Sequence, residues 1–425
     1  MNMQNINTIG GVSCEALAKE YGTPLMIYDQ AEIERKLAAF HKHFVSDKLQ
    51  TEVAYASKAF TCKALLQLVK AAGCSLDVVS GGELHCAKGA GFPMEKVFFH
   101  GNNKTPAELS MILENGVGTV VLDNEMEASL LVQMAAEQQK EIDVLLRINP
   151  GVEAHTHQYI ITANPDSKFG IYIGERQRIV DLLNLVQASA YVHFKGFHAH
   201  IGSQIFDSQA FLSEIETLIS FSKGIETELE LPVPFISLGG GFGAYYTEED
   251  QPIPVEEICS LLVKACEAES AKQNLALQKI IIEPGRSIVA EAGSTLYTVG
   301  FCKSNANKNY VFVDGGMADN IRPALYQAKY RCEVVNKADA PRVLTATVAG
   351  KCCESGDILI EGASLPAVEP GDLLLVYTTG AYGYSMASNY NRLPRPAVVF
   401  AKDGQAKLVI RRETFEDLEH LELGL

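Results

Sequence analysis

Eight short runs rich in apolar and β-branched residues recur at 53–56, 75–79, 96–99, 118–122, 144–148, 196–200, 235–238 and 279–282. Helix-period stretches lie between them, among them 64–71, 83–89, 125–139, 178–187, 209–228 and 255–269. Strand, helix, strand, repeated, predicts a parallel sheet with helices outside it. Eight such repeats in roughly 230 residues is the count that a closed (β/α)8 barrel needs. The open, doubly wound alternative lacks its usual Gly-x-Gly-x-x-Gly turn after the first strand.

The chain has 425 residues. A barrel takes about 250 of them, so about 175 are left over and one small domain is excluded. After Glu291 the texture changes. The runs 294–301, 310–314, 346–349, 373–377, 397–400 and 407–411 are short, with Gly, Pro, Asn and Asp between them. Helical periods become scarce, which predicts an antiparallel β domain. Residues 24–28 could add a strand to either domain.

Composition excludes several function classes. Hydrophobic residues make up 47% and charged residues 21%, enough apolar material for a large core and too much for disorder. The net charge of −16, with no basic stripe, disfavours a nucleic-acid partner. No window holds about 18 consecutive apolar residues, so no membrane span is expected. Residues 1–11 lack a basic n-region and an apolar h-region, so no signal peptide is expected. The 10 cysteines are scattered without a Cys-x-x-Cys pair, which predicts free thiols and a cytoplasmic protein.

In such barrels the chemistry gathers at the C-terminal ends of the strands. The first strand ends at Ser57-Lys58-Ala59. A buried lysine there would have its pKa lowered and could act as a Schiff-base amine; a structural ion pair is the alternative. Asp77, near the end of the second strand, is either an inward carboxylate or a turn residue. The sixth strand ends His198-Ala199-His200. This is half of a possible zinc site without a convincing set of further ligands, so one imidazole lining a cofactor and one packed in the wall is the better reading. The seventh ends in Gly239, Gly240, Gly241 and Gly243, whose backbone N–H groups could converge on a phosphate. The eighth ends Glu283-Pro284-Gly285-Arg286. A buried Glu283 could hold a protonated pyridine nitrogen, and Arg286 could take a carboxylate or phosphate in a fork. Lysine, imidazole, phosphate loop and carboxylate together match pyridoxal 5′-phosphate (PLP), with no metal.

Beyond these residues, the chain resembles the barrel-type (fold type III) PLP decarboxylases, and among them those acting on diaminopimelate. The resemblance covers essentially its whole length. It is carried by residues 55–60 (YASKAF), 75–83 (SLDVVSGGE), 200–203 (HIGS), 238–243 (LGGGFG) and 283–286 (EPGR). More specific still are residues 314–326 (DGGMADNIRPALY), 353–357 (CESGD) and 380–391 (GAYGYSMASNYN). It implies an alanine racemase-like TIM barrel over 30–285 and a β-sandwich or barrel domain formed by 1–29 and 286–425. It also implies roles. Lys58 carries the cofactor, with Asp77, Gly285 and Arg286 beside it, and His200 stacks on the pyridine. Ser203, Gly239, Gly240, Gly241 and Tyr382 grip the phosphate, and Glu283 holds the ring nitrogen. Arg286, Arg322, Tyr326 and Tyr382 bind the distal end of meso-diaminopimelate. Glu354 receives the distal ammonium. Cys353 and Glu354 reach the site of the other subunit of a homodimer, Cys353 matches the proposed proton donor, with Lys58 as the alternative, and L-lysine and CO2 are the products, as the last step of lysine biosynthesis.

Physical logic supports that substrate. One end of diaminopimelate loses CO2 and the other must be recognised as an intact zwitterion, which asks for cations and an anion together. Arg322 and Tyr326, four apart, would share a face if their segment is helical. An ornithine-type enzyme needs only an anion for its distal ammonium. A non-catalytic PLP carrier would not need Cys353, and a metal-dependent hydrolase would use His198 and His200. The tail carries Arg322, Tyr326, Cys353, Glu354 and Tyr382, so it is expected to complete the site that the barrel begins.

Overall fold

The structure is a computed structural model and describes residues 7–152 and 166–425. Residues 1–6 of the segment read for a signal peptide therefore lie outside it. The described chain divides into two compact units. One holds the chain up to Arg35 together with Ala244–Asp250 and Arg286–Leu425; the other holds Lys36–Gly243 and Gln251–Gly285.

All eight expected runs are strands of the second of these units: β1 Gln50–Ala56, β2 Ser75–Val78, β3 Val97–Phe99, β4 Thr119–Leu122, β5 Ile142–Asn149, β6 Val192–His198, β7 Phe235–Ser237 and β8 Lys279–Ile282. Each pairs in parallel with its neighbours, and β6 on β5 and β1 on β8 close the ring. Ala54, Phe98, Val121, Leu145 and Ile281, from β1, β3, β4, β5 and β8, meet in one buried cluster. Fully burying one such large side chain contributes about 1.5–3 kcal/mol.

The helices between the strands start where short polar side chains satisfy free N–H groups. Ser80 Oγ accepts from Glu83 N at 3.2 Å and Asn124 Oδ1 from Glu127 N at 2.9 Å. Helix Pro106–Asn115 was not among the stretches named above. Its apolar period is weak, yet Thr105, Pro106 and Glu108 form a capping box with proline in the first turn. Arg286–Val289, after β8, is a single turn.

The other unit is a mixed sheet. Its strand order is Ile358–Leu365, Leu344–Ala349, Lys308–Val313, Gly293–Asn305, Leu25–Asp29, Ala397–Lys402 and Gln405–Ile410. Most pairings are antiparallel as expected. Two are parallel: Lys308–Val313 with Leu344–Ala349, and Leu25–Asp29 with Ala397–Lys402. Residues 24–28 thus supply a strand to this unit, with Leu25 and Ile27 in one core with Leu296, Leu375 and Val399. All 10 cysteines are free thiols, six of them buried. Among the described residues no helix is long and apolar enough to cross a membrane.

Candidate active site

Lys58 sits just past β1, in the 3-10 turn Ser57–Ala59. It is exposed, not buried as the sequence reading expected. The strand ends at Ala56, and the turn carries the side chain off the packed wall. Its positive charge still acts on Asp77, Glu83 and His200.

Asp77 lies inside β2 rather than in a turn, buried, beside Ala56 of β1 in the ladder. Burial, and then the charge of Glu283, push its carboxyl well above the usual range. His100, one residue past β3, is buried too. Its Nε2 lies 3.6 Å from Asp77 Oδ1 and 3.6 Å from Glu283 Oε1. Burial holds that imidazole neutral, pulling its pKa well below the ordinary value.

Glu283, one residue past β8, is the centre of this group. Its Oε1 accepts from Ser237 Oγ at 2.7 Å and its Oε2 from His198 Nε2 at 3.0 Å. Burial opposes the charge, but the facing His198 and the hydrogen bonds from His198 and Ser237 hold the carboxyl below the usual range. An ionised carboxylate can only accept, so the shared proton belongs to His198 Nε2, and the ring's Nδ1 has no hydrogen-bond partner. The ring atoms of His100 and His198 and a carboxylate oxygen of Glu283 come within 4.8 Å of one another. Of these contacts only the one between His198 and Glu283 is a hydrogen bond; His100 Nε2 stands 3.6 Å from Glu283 Oε1 without one.

His200 lies two residues beyond the end of β6, so the two histidines do not share a strand face as the period-2 reading expected. His200 Nδ1 accepts from Gly240 N at 3.2 Å, and burial together with the Lys58 and Arg147 charges holds the ring neutral. The loops after β6, β7 and β8 are tied by backbone bonds: Glu283 N to Gly239 O at 2.7 Å, Ile205 N to Gly241 O at 2.9 Å. A Cβ on Gly240 would lie 2.2 Å from Glu283 O, and one on Gly239, whose φ is +61°, 2.5 Å from Ala199 O. No side chain fits there, so the loop backbone is bare to a closely approaching group, with the Gly239 N–H donating to Ser237 Oγ at 3.3 Å and the Gly240 N–H to His200. Ser203 is half-buried in the loop after β6, and Gly285 is buried beyond β8.

These features fit pyridoxal 5′-phosphate. A buried carboxylate is held ionised, a neutral imidazole borders a glycine cradle, and the buried Asp77 Oδ1 and His100 Nε2 lack hydrogen-bond partners.

The mixed-sheet unit carries a second cluster. Arg286 Nη1 donates to Tyr246 Oη at 2.7 Å; Arg322 Nη1 donates to the same oxygen at 3.3 Å and to Tyr330 Oη at 2.8 Å. All four side chains are buried. Tyr382 lies under both guanidinium carbons, at 4.9 and 5.7 Å from its ring centre. Its φ of +65° is a left-handed conformation that a bulky residue rarely adopts and that marks functional loops. Residues 322–326 do form a helical turn, Arg322–Tyr326. Arg322 nevertheless bonds Tyr330, not Tyr326, because Gln327 is left-handed (φ 54°) and turns the chain back. Tyr326 stays half-exposed.

Cys353 and Glu354 lie exposed on the loop before Ile358–Leu365. Cys353 N donates to Asn391 Oδ1 at 2.7 Å, and Glu354 Oε1 accepts from Gly356 N at 3.3 Å. Asp357 shapes the loop by accepting from Cys352 N and Met317 N, both at 2.7 Å. His100, Tyr246 and Tyr330 escaped the sequence reading. His100 follows a barrel strand and could have been found from its position; Tyr246 and Tyr330 carry no local signal.

The model of the family "Pyridoxal-dependent decarboxylase, pyridoxal binding domain" matches residues 30–290. A diaminopimelate decarboxylase of Bacillus subtilis (strain 168) is 49% identical over 418 residues, covering 98% of this chain and 94% of that protein. Among solved structures, diaminopimelate decarboxylase from M. jannaschii in complex with L-lysine aligns with a TM-score of 0.91 at 31% identity, covering 99% of each chain. The Helicobacter pylori diaminopimelate decarboxylase complexed with L-lysine aligns with a TM-score of 0.88 at 31% identity, covering 96% of this chain and 98% of that one.

Proposed function

The chain belongs to the diaminopimelate decarboxylases of the pyridoxal-dependent decarboxylase family, and from that premise we propose that it converts meso-2,6-diaminopimelate to L-lysine and CO2 in the cytoplasm, using pyridoxal 5′-phosphate. The observation that carries the choice of substrate is the pair of buried guanidiniums, Arg286 and Arg322. Two guanidiniums that meet on one phenol oxygen form a cationic corner, and the distal carboxylate of diaminopimelate matches its charge. A diamine-forming decarboxylase has no such group to place.

When bound, the cofactor supplies an electron sink for the pair released as CO2 leaves. The protein does the rest. Lys58 would hold the cofactor through its amine. Glu283, kept ionised, holds a proton at the pyridine nitrogen. Neutral His200 and Asp77 would hold the ring in place. The amides of Gly239, Gly240, Gly241 and Gly285, the backbone of Arg286, Ser203 and the Tyr382 hydroxyl bind phosphate. Arg286, Arg322, Tyr326 and Tyr382 orient the distal carboxylate and Glu354 the distal ammonium. A thiol matches proton delivery near neutral pH, and Cys353 delivers it to Cα. The exposure of Cys353 and Glu354 favours their use in trans, so each site of a homodimer takes the partner subunit's Cys353.

The test is chemical trapping. Borohydride reduction of the cofactor-loaded protein followed by peptide mapping is expected to label Lys58, and Lys58→Ala is expected to lose the visible absorbance of the lysine-bound cofactor. A label on another lysine would contradict the assignment.

A further inference from the structure

The Tyr246 hydroxyl has one proton and two lone pairs, and two guanidiniums donate to that single oxygen, Arg286 at 2.7 Å and Arg322 at 3.3 Å. Neither the sequence motifs nor the roles given above use it. Resting on the reading of this cluster as the distal-carboxylate site, we propose that Tyr246 is a positioning and specificity-determining residue: its oxygen brings the two guanidiniums together so that they take one carboxylate jointly.

Several observations support this. Tyr246 is itself held from both sides of its backbone: its N–H donates to Asp250 Oδ2 at 3.0 Å and its C=O accepts from Arg331 Nε at 3.1 Å. Its ring is fixed edge-on to Tyr330, with centres 5.6 Å apart. Arg286 and Arg322 also lie over its ring, at 5.7 and 5.4 Å. The oxygen is thus a fixed point, whereas arginine side chains are long and flexible and lose entropy when held. Burial would push the Tyr246 phenol up, yet the two guanidiniums pull it below its ordinary pKa. Negative charge is favoured at this spot, which is the property a carboxylate site needs. L-Lysine keeps the distal carboxylate; cadaverine has none. Tyr246 should therefore matter for the first and not for the second.

The experiment compares wild-type holoenzyme with Tyr246→Phe, which keeps the ring and removes only the oxygen. The expected result is a KM for meso-diaminopimelate and a Kd for L-lysine raised about tenfold, with kcat and cadaverine affinity within about twofold of wild type. A purely structural role would lower kcat and cadaverine binding along with the rest, and that outcome, or unchanged KM and Kd, overturns the proposal. p-Aminophenylalanine incorporated at position 246 keeps the ring and its size and puts a poor acceptor that forms no anion in place of the oxygen, so it is expected to weaken L-lysine binding; unchanged binding overturns the proposal if the phenylalanine variant does not fold. A wild-type protein that fails to release lysine from diaminopimelate would sink the functional reading itself, a result distinct from either.

Discussion

His198 donates its Nε2 proton to Glu283 Oε2 across 3.0 Å, and both side chains are buried. A buried carboxylate on its own would take up a proton. Here His198, His100 and Ser237 face it, and it stays ionised although Asp77 stands nearby with its own carboxyl pushed up. The two carboxylates are thus shifted in opposite directions, Glu283 toward its charged form and Asp77 toward its neutral one, a pattern that active sites use to fix acid and base roles.

Removing the donor should raise the Glu283 pKa toward its ordinary value. For His198→Leu we expect kcat to fall on the order of tenfold to a hundredfold and the acid limb of its pH profile to move to higher pH. His198→Gln, which can offer an amide N–H, is expected to recover part of both. A profile that does not move would separate His198 from Glu283.

Cys353 is expected to act on kcat rather than on binding. Cys353→Ala should lower kcat by about a hundredfold while the Kd for L-lysine stays unchanged. Loss of lysine affinity in step with kcat would instead give the residue a binding role.

Stability offers a third check. Lys104 is buried in the barrel unit and donates to Glu127 Oε1, Gly101 O and Val121 O, each at 2.7 Å. Lys104→Met would leave a carboxylate and two carbonyls without their partner. The expected loss is about 3–5 kcal/mol in urea unfolding, and a change within about 0.5 kcal/mol would contradict it.

A fourth prediction concerns pH. Asp319 accepts from Tyr297 Oη at 2.8 Å and Gly316 N at 3.1 Å, and burial pushes its carboxyl from 3.8 up to about 7. Between these values the folded chain keeps a proton that the unfolded chain has released. The contribution of Asp319 to stability therefore falls as pH rises through that window and levels off above about 7. Asp319→Asn keeps the acceptor oxygen and removes the titration. Its melting temperature relative to wild type is expected to rise from pH 5 to pH 8; parallel curves would contradict the shifted carboxyl.

The barrel was legible because period-2 apolar runs and helical periods report burial directly: all eight strands appear where their runs lie. The rim residues Lys58, His200 and Glu283 were legible from their place after a strand end. The conformation of residues 322–330 was not. Arg322 and Tyr326 have helical spacing, but the left-handed Gln327 is a long-range packing outcome that brings Tyr330 back instead. Tyr246 was equally hidden, since its partners Arg286 and Arg322 stand 40 and 76 residues away. The parallel pairing of Leu25–Asp29 with Ala397–Lys402 joins the two ends of the chain, and no local pattern encodes such a contact.

The central claim is the reaction. Wild-type protein loaded with pyridoxal 5′-phosphate should be given meso-diaminopimelate and, separately, ornithine, with CO2 and amino-acid products measured together. The account predicts equal amounts of CO2 and L-lysine from diaminopimelate, little turnover of ornithine, and none of either by Lys58→Ala. Release of CO2 from ornithine at a comparable or higher rate would contradict it.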